Sequence, residues 1–214
     1  MTEHRIDPLE LAALIASRVC HDLLNPVAAM RNGLEVLEEE KDESMRAFAM
    51  DLVRKTAIIA SAKLEFARLA FGAAGSAGAE IDMVEAGRCA NAFLESEKPT
   101  LDWQVGATML PKAQAKLLLN LLILAANSVP RGGTVTVAAE QEGAESVLRL
   151  TAEGERAKFP AGARGVLTEG IVPDPLTAHV IQPYYAALLA REAGMAVTVS
   201  EEEGRVVIGA RSAT

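Results

Sequence analysis

Cysteine, aromatic side chains and positive charge are all scarce in this 214-residue chain. Its two cysteines, Cys20 and Cys89, match neither a disulfide framework nor a zinc spacing, and a reducing compartment fits best. Aromatics make up 4% of the residues while half are apolar, so the core must be built mostly from Ala, Leu, Val and Ile. The net charge of −8 argues against nucleic acid and anionic membrane as partners, because both call for basic patches. The longest apolar run, Leu117 to Ala126, is broken by Asn120 and is too short to span a bilayer. The opening Met1-Thr2-Glu3-His4-Arg5-Ile6-Asp7 lacks the apolar stretch of a signal peptide. These absences point to a cytoplasmic protein without a membrane partner. A chain of this length buries roughly 70% of its unfolded surface, so it needs no covalent staples.

What is present is organised around Arg18-Val19-Cys20-His21-Asp22-Leu23-Leu24-Asn25-Pro26. Asp7-Pro8 is a helix start, with Asp as the cap and Pro at the first helical position. Apolar residues then recur at Ala12, Ile15, Val19, Leu23, Val27, Met30, Leu34 and Leu37, a narrow stripe close to a coiled-coil seam. The pattern predicts a helix from about Pro8 to about Glu40. At about 100° per residue His21 points away from the seam and toward solvent. Leu14, Ser17, Leu24, Ala28 and Asn32 share its strip, with Arg18 and Asn25 flanking it. A surface histidine among scattered apolar residues is common in itself. Pro26 adds weight, because a mid-helix proline loses the bond to the Asp22 carbonyl at a cost of about 3 kcal/mol.

After Lys41-Asp42-Glu43, a second periodic segment predicts a helix from about Ser44 to about Ala73, carrying Met45, Phe48, Leu52, Thr56, Ile59, Lys63, Phe66 and Leu69. Two long helices joined by a tight turn form a hairpin that leaves half its apolar stripe bare, and a second copy would close a four-helix bundle. A homodimer is therefore expected. The glycine- and alanine-rich stretch from Phe71 to Ala79 reads as a linker between residues 1–75 and 80–214.

In the second part Asp82 caps a helix to about Glu97, and Thr100 to Val105 reads as a strand holding the only tryptophan. Pro111 opens a helix that is apolar almost all round and so deeply buried. After the Arg131-Gly132-Gly133 turn, strands are expected at Thr134 to Glu140 and Ser146 to Thr151, turning at Gly143. Ala152 to Gly170 reads as loop, Pro175 to Ala193 as a helix interrupted by Pro183, and Met195 to Ser200 with Arg205 to Ala210 as a closing hairpin. The order gives an α+β fold in which a mixed sheet lies under helices.

The two halves together resemble the catalytic core of sensor histidine kinases, in which a helical-hairpin dimerisation and phosphotransfer domain precedes an ATP-binding α/β sandwich. The kinase H-box runs His-Glu, two variable positions, Thr or Asn, then Pro. His21-Asp22-Leu23-Leu24-Asn25-Pro26 follows it in register, with Asp for Glu. The nucleotide boxes do not follow. The Mg²⁺-binding asparagine of the N-box falls on Leu124, with Asn127 one turn too late. The adenine-binding aspartate falls on Ala152, the second glycine of that box on Arg156, and no glycine occurs near Val180 to Pro183. Backbone N–H groups near glycine cradle phosphates and oxygen ligands hold Mg²⁺, so ATP binding is not expected.

A kept fold without nucleotide chemistry is similar to the ChpT family of histidine phosphotransferases. The stretch around His21, Ala70-Phe71-Gly72-Ala73 and Pro99-Thr100-Leu101-Asp102-Trp103-Gln104 carry that resemblance. It implies a homodimer that takes a phosphoryl group on His21 from the receiver domain of a hybrid kinase of the CckA type. It passes that group to receiver-type regulators of the CtrA and CpdR types, in cell-cycle signalling. On this reading Asp22 orients the imidazole or takes up its other proton. Arg18 and Asn25 contact phosphoryl oxygens or the partner. Leu14, Leu24 and Ala28 form the apolar centre of a docking face. Mg²⁺ is expected on the partner receiver, and no cofactor or metal in this chain.

The alternatives are an ATP-dependent histidine kinase, against which the missing boxes argue, and a non-enzymatic dimeric scaffold. A cysteine hydrolase using Cys20 and His21 fails because adjacent helical residues diverge by about 100°. A metal site fails because His4, His21 and His179 show no ligand spacing.

Overall fold

Asp7 does cap the first helix: its Oδ1 accepts from the N–H groups of Leu9 and Glu10, and Pro8 follows at the first helical position. In the computed structural model, which describes residues 6–72, 80–142, 145–172, 177 and 180–212, this helix (α1) spans Pro8–Glu39 and runs on through a buried Pro26. Asp42 caps the second helix (α2), Glu43–Ala70, in the same way, accepting from Ser44 and Met45. The two form a hairpin. They approach closely at Gly33, where an added Cβ would stand 2.7 Å from Val53 Cγ2 and 3.3 Å from the Ala49 carbonyl oxygen. The stripe predicted for α1 is only partly covered within one chain. Val19, Leu23, Met30 and Leu37 are half-buried, while Val27 and Leu34 remain about half exposed.

The second half begins with a short strand, β1 (Glu80–Asp82), and helix α3 (Met83–Leu94), capped by Asp82 as expected. Strands β2 (Pro99–Val105) and β3 (Met109–Pro111) lead into α4 (Lys112–Asn127). Then come β4 (Gly133–Glu142), β5 (Glu145–Glu153), a short α5 (Ala163–Glu169), α6 (Ile181–Glu192), β6 (Met195–Glu202) and β7 (Arg205–Ser212). The main sheet has the order β2-β4-β5-β7-β6, with β2 parallel to β4 and the other neighbours antiparallel. The mixed α+β architecture is the one expected.

Alternation sets the sheet's inner face. Val135, Val137 and Ala139 of β4, Leu148, Leu150 and Ala152 of β5, and Val206, Ile208 and Ala210 of β7 all point into the core. They meet α4, whose Leu117, Leu118, Leu119, Leu121 and Leu122 are wholly buried. Each such leucine is worth about 1.5–3 kcal/mol, so α4 is the stabilising centre of this half. The core does not stop at the hairpin: Phe66, Leu69 and Ala70 of α2 belong to the same cluster, and Phe66 stacks on Phe93 of α3 at 4.2 Å.

Three sequence expectations change. Ala152 to Gly170 is not all loop, because β5 continues to Glu153 and α5 forms between Gly162 and Gly170, both in the left-handed conformation. Seven residues are too few for periodicity to reveal. The last helix begins at Ile181, so Pro183 sits in its first turn rather than interrupting it, where a missing N–H costs little. The two-stranded sheet of β1 and β3 went unseen because each strand is three residues long. The linker residues 73–79, the turn at Gly143, and Pro175 and His179 lie outside the described residues.

Candidate phosphotransfer site

Helical phase places His21 as expected: its side chain is 67% exposed on the flank of α1 away from α2. Its neighbours on α1 differ sharply from one another. Arg18, one turn earlier, is only 19% exposed, and its Nε donates to Asp22 Oδ2 at 3.1 Å. The other carboxylate oxygen of Asp22 lies 3.5 Å from His21 Nδ1. Arg18, Asp22 and His21 thus form a chain along α1 in which the guanidinium fixes the carboxylate and the carboxylate faces one ring nitrogen. With the proton at Nδ1, the Nε2 lone pair is the one left free for nucleophilic attack.

This chain borders a cleft of about 460 Å³ between α1 and the sandwich. Its far wall is made by Leu124 and Asn127 of α4, Pro160 and Ala161 of the β5–α5 connection, and Gln182 and Pro183 of α6. A second cavity of about 390 Å³ adjoins it, sharing Arg18, Asp22 and Asn127, and reaching Lys63, Glu97 and Lys98. Lys63 is held there by Glu97 at 2.8 Å. The rim at Pro160 is itself fixed: Phe159 N–H donates to Glu201 Oε2, and Arg164 bonds both Glu201 and the Val199 carbonyl. The Arg164 hydrogen bond holds the Glu201 carboxyl below its ordinary value.

The residues singled out in the sequence therefore separate. Arg18, His21 and Asp22 come together at the cleft. Asn25, Leu24 and Ala28 stay exposed on the outer flank, with Leu24 at 63%. Leu14 does not join them as a free docking residue. It is half-buried, with Leu11 and Ile15, against Val166, Ile181 and Tyr184 of the same chain. Periodicity shows which way a side chain points, not that the chain's own second half folds back to cover it.

Asn127 and Gln182 were not anticipated as site residues. Asn127 looked misplaced for a metal ligand, yet it lines both cavities. Gln182 is 2% exposed; its Nε2 donates to Asn120 Oδ1 at 2.7 Å, while its Oε1 is buried with no partner among the described residues. An unpaired buried carbonyl costs about 1–3 kcal/mol. Asn120 in turn donates to the carbonyls of Ala70, at the end of α2, and Lys116. The one available signal was a glutamine inside an otherwise apolar helix start.

Among the described residues the cleft does not carry the side chains of the kinase nucleotide boxes. No glycine is among its described lining residues, Leu124 is 2% exposed, and Ala152 is wholly buried. Phosphates favour the free N–H groups of a helix N-terminus. At α6 the N–H groups of Val180 and Ile181 are taken by the Thr177 carbonyl, and Pro183 has none. Among the described residues no three His, Cys, Asp or Glu side chains are grouped to hold a metal.

Comparison with known proteins places the chain as a whole. A family model for the histidine phosphotransferase C-terminal domain matches residues 83–205. Protein phosphotransferase ChpT of Brucella abortus (strain 2308) is 40% identical over 206 residues, covering 96% of this chain and 97% of that protein. A solved bacterial phosphotransferase superposes with a TM-score of 0.87 at 38% identity, covering 97% and 98% of the two chains. The Acinetobacter baumannii histidine kinase AdeS gives a TM-score of 0.47 at 13% identity over 90% of this chain and 97% of that one.

Proposed function

The chain belongs to the ChpT family of histidine phosphotransferases and is a phosphorelay histidine phosphotransferase with two-component partners; from that premise we propose that its phosphoryl group travels on His21. One observation carries the proposal: an exposed imidazole whose Nδ1 faces an arginine-held carboxylate at the edge of a preformed cleft.

The chemistry is an exchange between an acyl phosphate and a phosphoramidate. The Nε2 lone pair of His21 attacks the phosphorus of the donor's aspartyl phosphate in line with the bond that breaks. The N–P bond forms as the P–O bond to the acyl oxygen breaks, and the aspartate leaves as carboxylate. Positive charge developing on the ring is balanced by Asp22 across Nδ1. Return transfer to an acceptor aspartate runs the same steps backward. The loose transition state of phosphoryl transfer asks for positioning and charge balance more than covalent help. Mg²⁺ belongs to the receiver in this proposal, and no step passes through a metal or nucleotide held by this chain.

A receiver domain docks over Leu24, Asn25 and Ala28 and reaches into the cleft toward Asn127. The donor is the receiver of a CckA-like hybrid kinase and the acceptors are CtrA-like and CpdR-like regulators, reacting in the cytoplasm. Among the described residues no helix is long and apolar enough to cross a membrane. The protein acts as a homodimer. Val27, Leu34, Met45 and Phe48, between 48% and 67% exposed on the hairpin, make the stripe that a second copy covers in a four-helix bundle.

The test is to incubate the protein with a receiver domain carrying radiolabelled aspartyl phosphate and, separately, with ATP and Mg²⁺. Acid-labile label acquired only from the receiver, and lost in His21→Ala, is the expected result. Label acquired from ATP, or retained by His21→Ala, overturns the proposal.

A further inference from the structure

Two attachments between the hairpin and the sandwich converge on the start of α6. Ile181 and Tyr184, 1% and 4% exposed, pack with Val166 against Ile6, Leu11, Leu14 and Ile15 at the beginning of α1. Gln182, between them, is bonded to Asn120, which is bonded to the last carbonyl of α2. Phe71, just beyond α2, adds a ring contact to Tyr185 at 5.7 Å between centroids. The start of α1 and the end of α2 lie at the same end of the hairpin, so one stretch, residues 181–185, grips both helices there. The same stretch is a wall of the His21 cleft, through Gln182 and Pro183.

We propose that this stretch is a positioning clamp, with Gln182 and Ile181 as positioning residues that set the width of the cleft facing His21. The inference rests on the reading that the phosphoryl group travels on His21. Leu14 and His21 are seven residues apart on one continuous helix, about 10 Å at 1.5 Å per residue. A tilt of α6 against α1 at Leu14 therefore appears directly as a change of gap at His21. Gln182 connects the cleft wall to the end of α2 through only two hydrogen bonds, at 2.7 and 3.0 Å.

The unpaired Oε1 shows what the glutamine is not for. Half of its amide is buried without a partner among the described residues, so an apolar side chain of similar size would serve burial there about as well. What the amide supplies is direction, since its N–H reaches one acceptor at one angle. The second half of the chain thus serves phosphotransfer by setting the gap beside His21 that the edge of a docked receiver enters, in the place where its fold would otherwise hold a nucleotide.

The experiment measures transfer from a radiolabelled receiver to full-length protein over a range of receiver concentrations, for the parent, Gln182→Leu and Ile181→Val. Gln182→Leu exchanges one unpaired carbonyl, its own Oε1, for another, Asn120 Oδ1, so its thermal midpoint stays near that of the parent. A cleft of wrong width raises the half-saturating receiver concentration by about tenfold in Gln182→Leu, the equivalent of about 1.4 kcal/mol of docking free energy. The maximal rate stays within about twofold, since the chemistry at His21 is untouched. Ile181→Val, altering the opposite side of the clamp, shifts the same constant in the same direction and by less. Unchanged half-saturation in both variants overturns the clamp. So does a maximal rate that falls in step with the thermal midpoint, which marks a merely structural role. Label surviving in His21→Ala would instead overturn the His21 reading, and it is distinguished because it does not depend on residue 182.

Discussion

Replacing Asn120 by leucine tests the buried network most severely. The two side chains are close in volume, so packing around α4 changes little. The loss falls on hydrogen bonds. Without the amide, the Ala70 carbonyl loses its 3.0 Å donor and Gln182 Nε2 loses its 2.7 Å acceptor, in surroundings where Asn120 is wholly buried and Gln182 is 2% exposed. The Lys116 carbonyl is spared, because the helix itself supplies it with the residue-120 N–H. Two buried groups left unpaired cost about 1–3 kcal/mol each. Burying the leucine methyl groups returns about 1–2 kcal/mol. The net expectation is a loss of about 2–4 kcal/mol, by contrast with the near-neutral Gln182→Leu. Urea unfolding at fixed protein concentration measures it, with Trp103 fluorescence reporting on the second half and far-ultraviolet dichroism on the helices. A loss below about 1 kcal/mol would mean that these groups find other partners and that the chain from Ala70 to Gln182 carries little of the attachment.

Two further outcomes follow from the site. Arg18→Met removes the guanidinium that holds Asp22; stability should change by less than about 1 kcal/mol for so local an ion pair, while single-turnover transfer to His21 slows by about tenfold. Acid should loosen the rim of the cleft. Glu201 has a lowered pKa through the Arg164 hydrogen bond, so its contribution is present above the ordinary value of about 4.5 and is lost as the pH falls through the depressed folded-state value. Amide exchange at Phe159, followed as the pH is lowered from neutral through the acid range and corrected for intrinsic rates, should show lost protection in the parent and no such step in Glu201→Gln.

The hairpin was legible because long helices write their starts and periods plainly: Asp7 and Pro8 mark the first start, and the second, expected near Ser44, falls at Glu43. The sheet was legible from alternation and from the Gly132-Gly133 turn, whose positive φ angles confirm its shape. His21, Asp22 and Arg18 were legible because one helix carries all three, and helical phase is local. Asn127 and Gln182 were not, because the cleft is assembled from segments more than a hundred residues away along the chain. Leu14 was misread for the same reason: its partners Ile181 and Tyr184 reach it only through tertiary packing. Burial by a distant element leaves no local trace in a residue pattern.

One small feature remains at the turn after β5. Arg156 adopts φ 62°, the only non-glycine in the left-handed region among the described residues, at the position where the kinase resemblance would put a glycine. An L-residue pays about 1–2 kcal/mol for that conformation and glycine almost none. The exposed turn therefore holds a latent reserve of about 1 kcal/mol, comparable to the average damage of a random substitution. A lineage that exchanged arginine for glycine here could absorb one such substitution elsewhere in the chain, which makes this turn a place where tolerance for new receiver-facing sequence can originate.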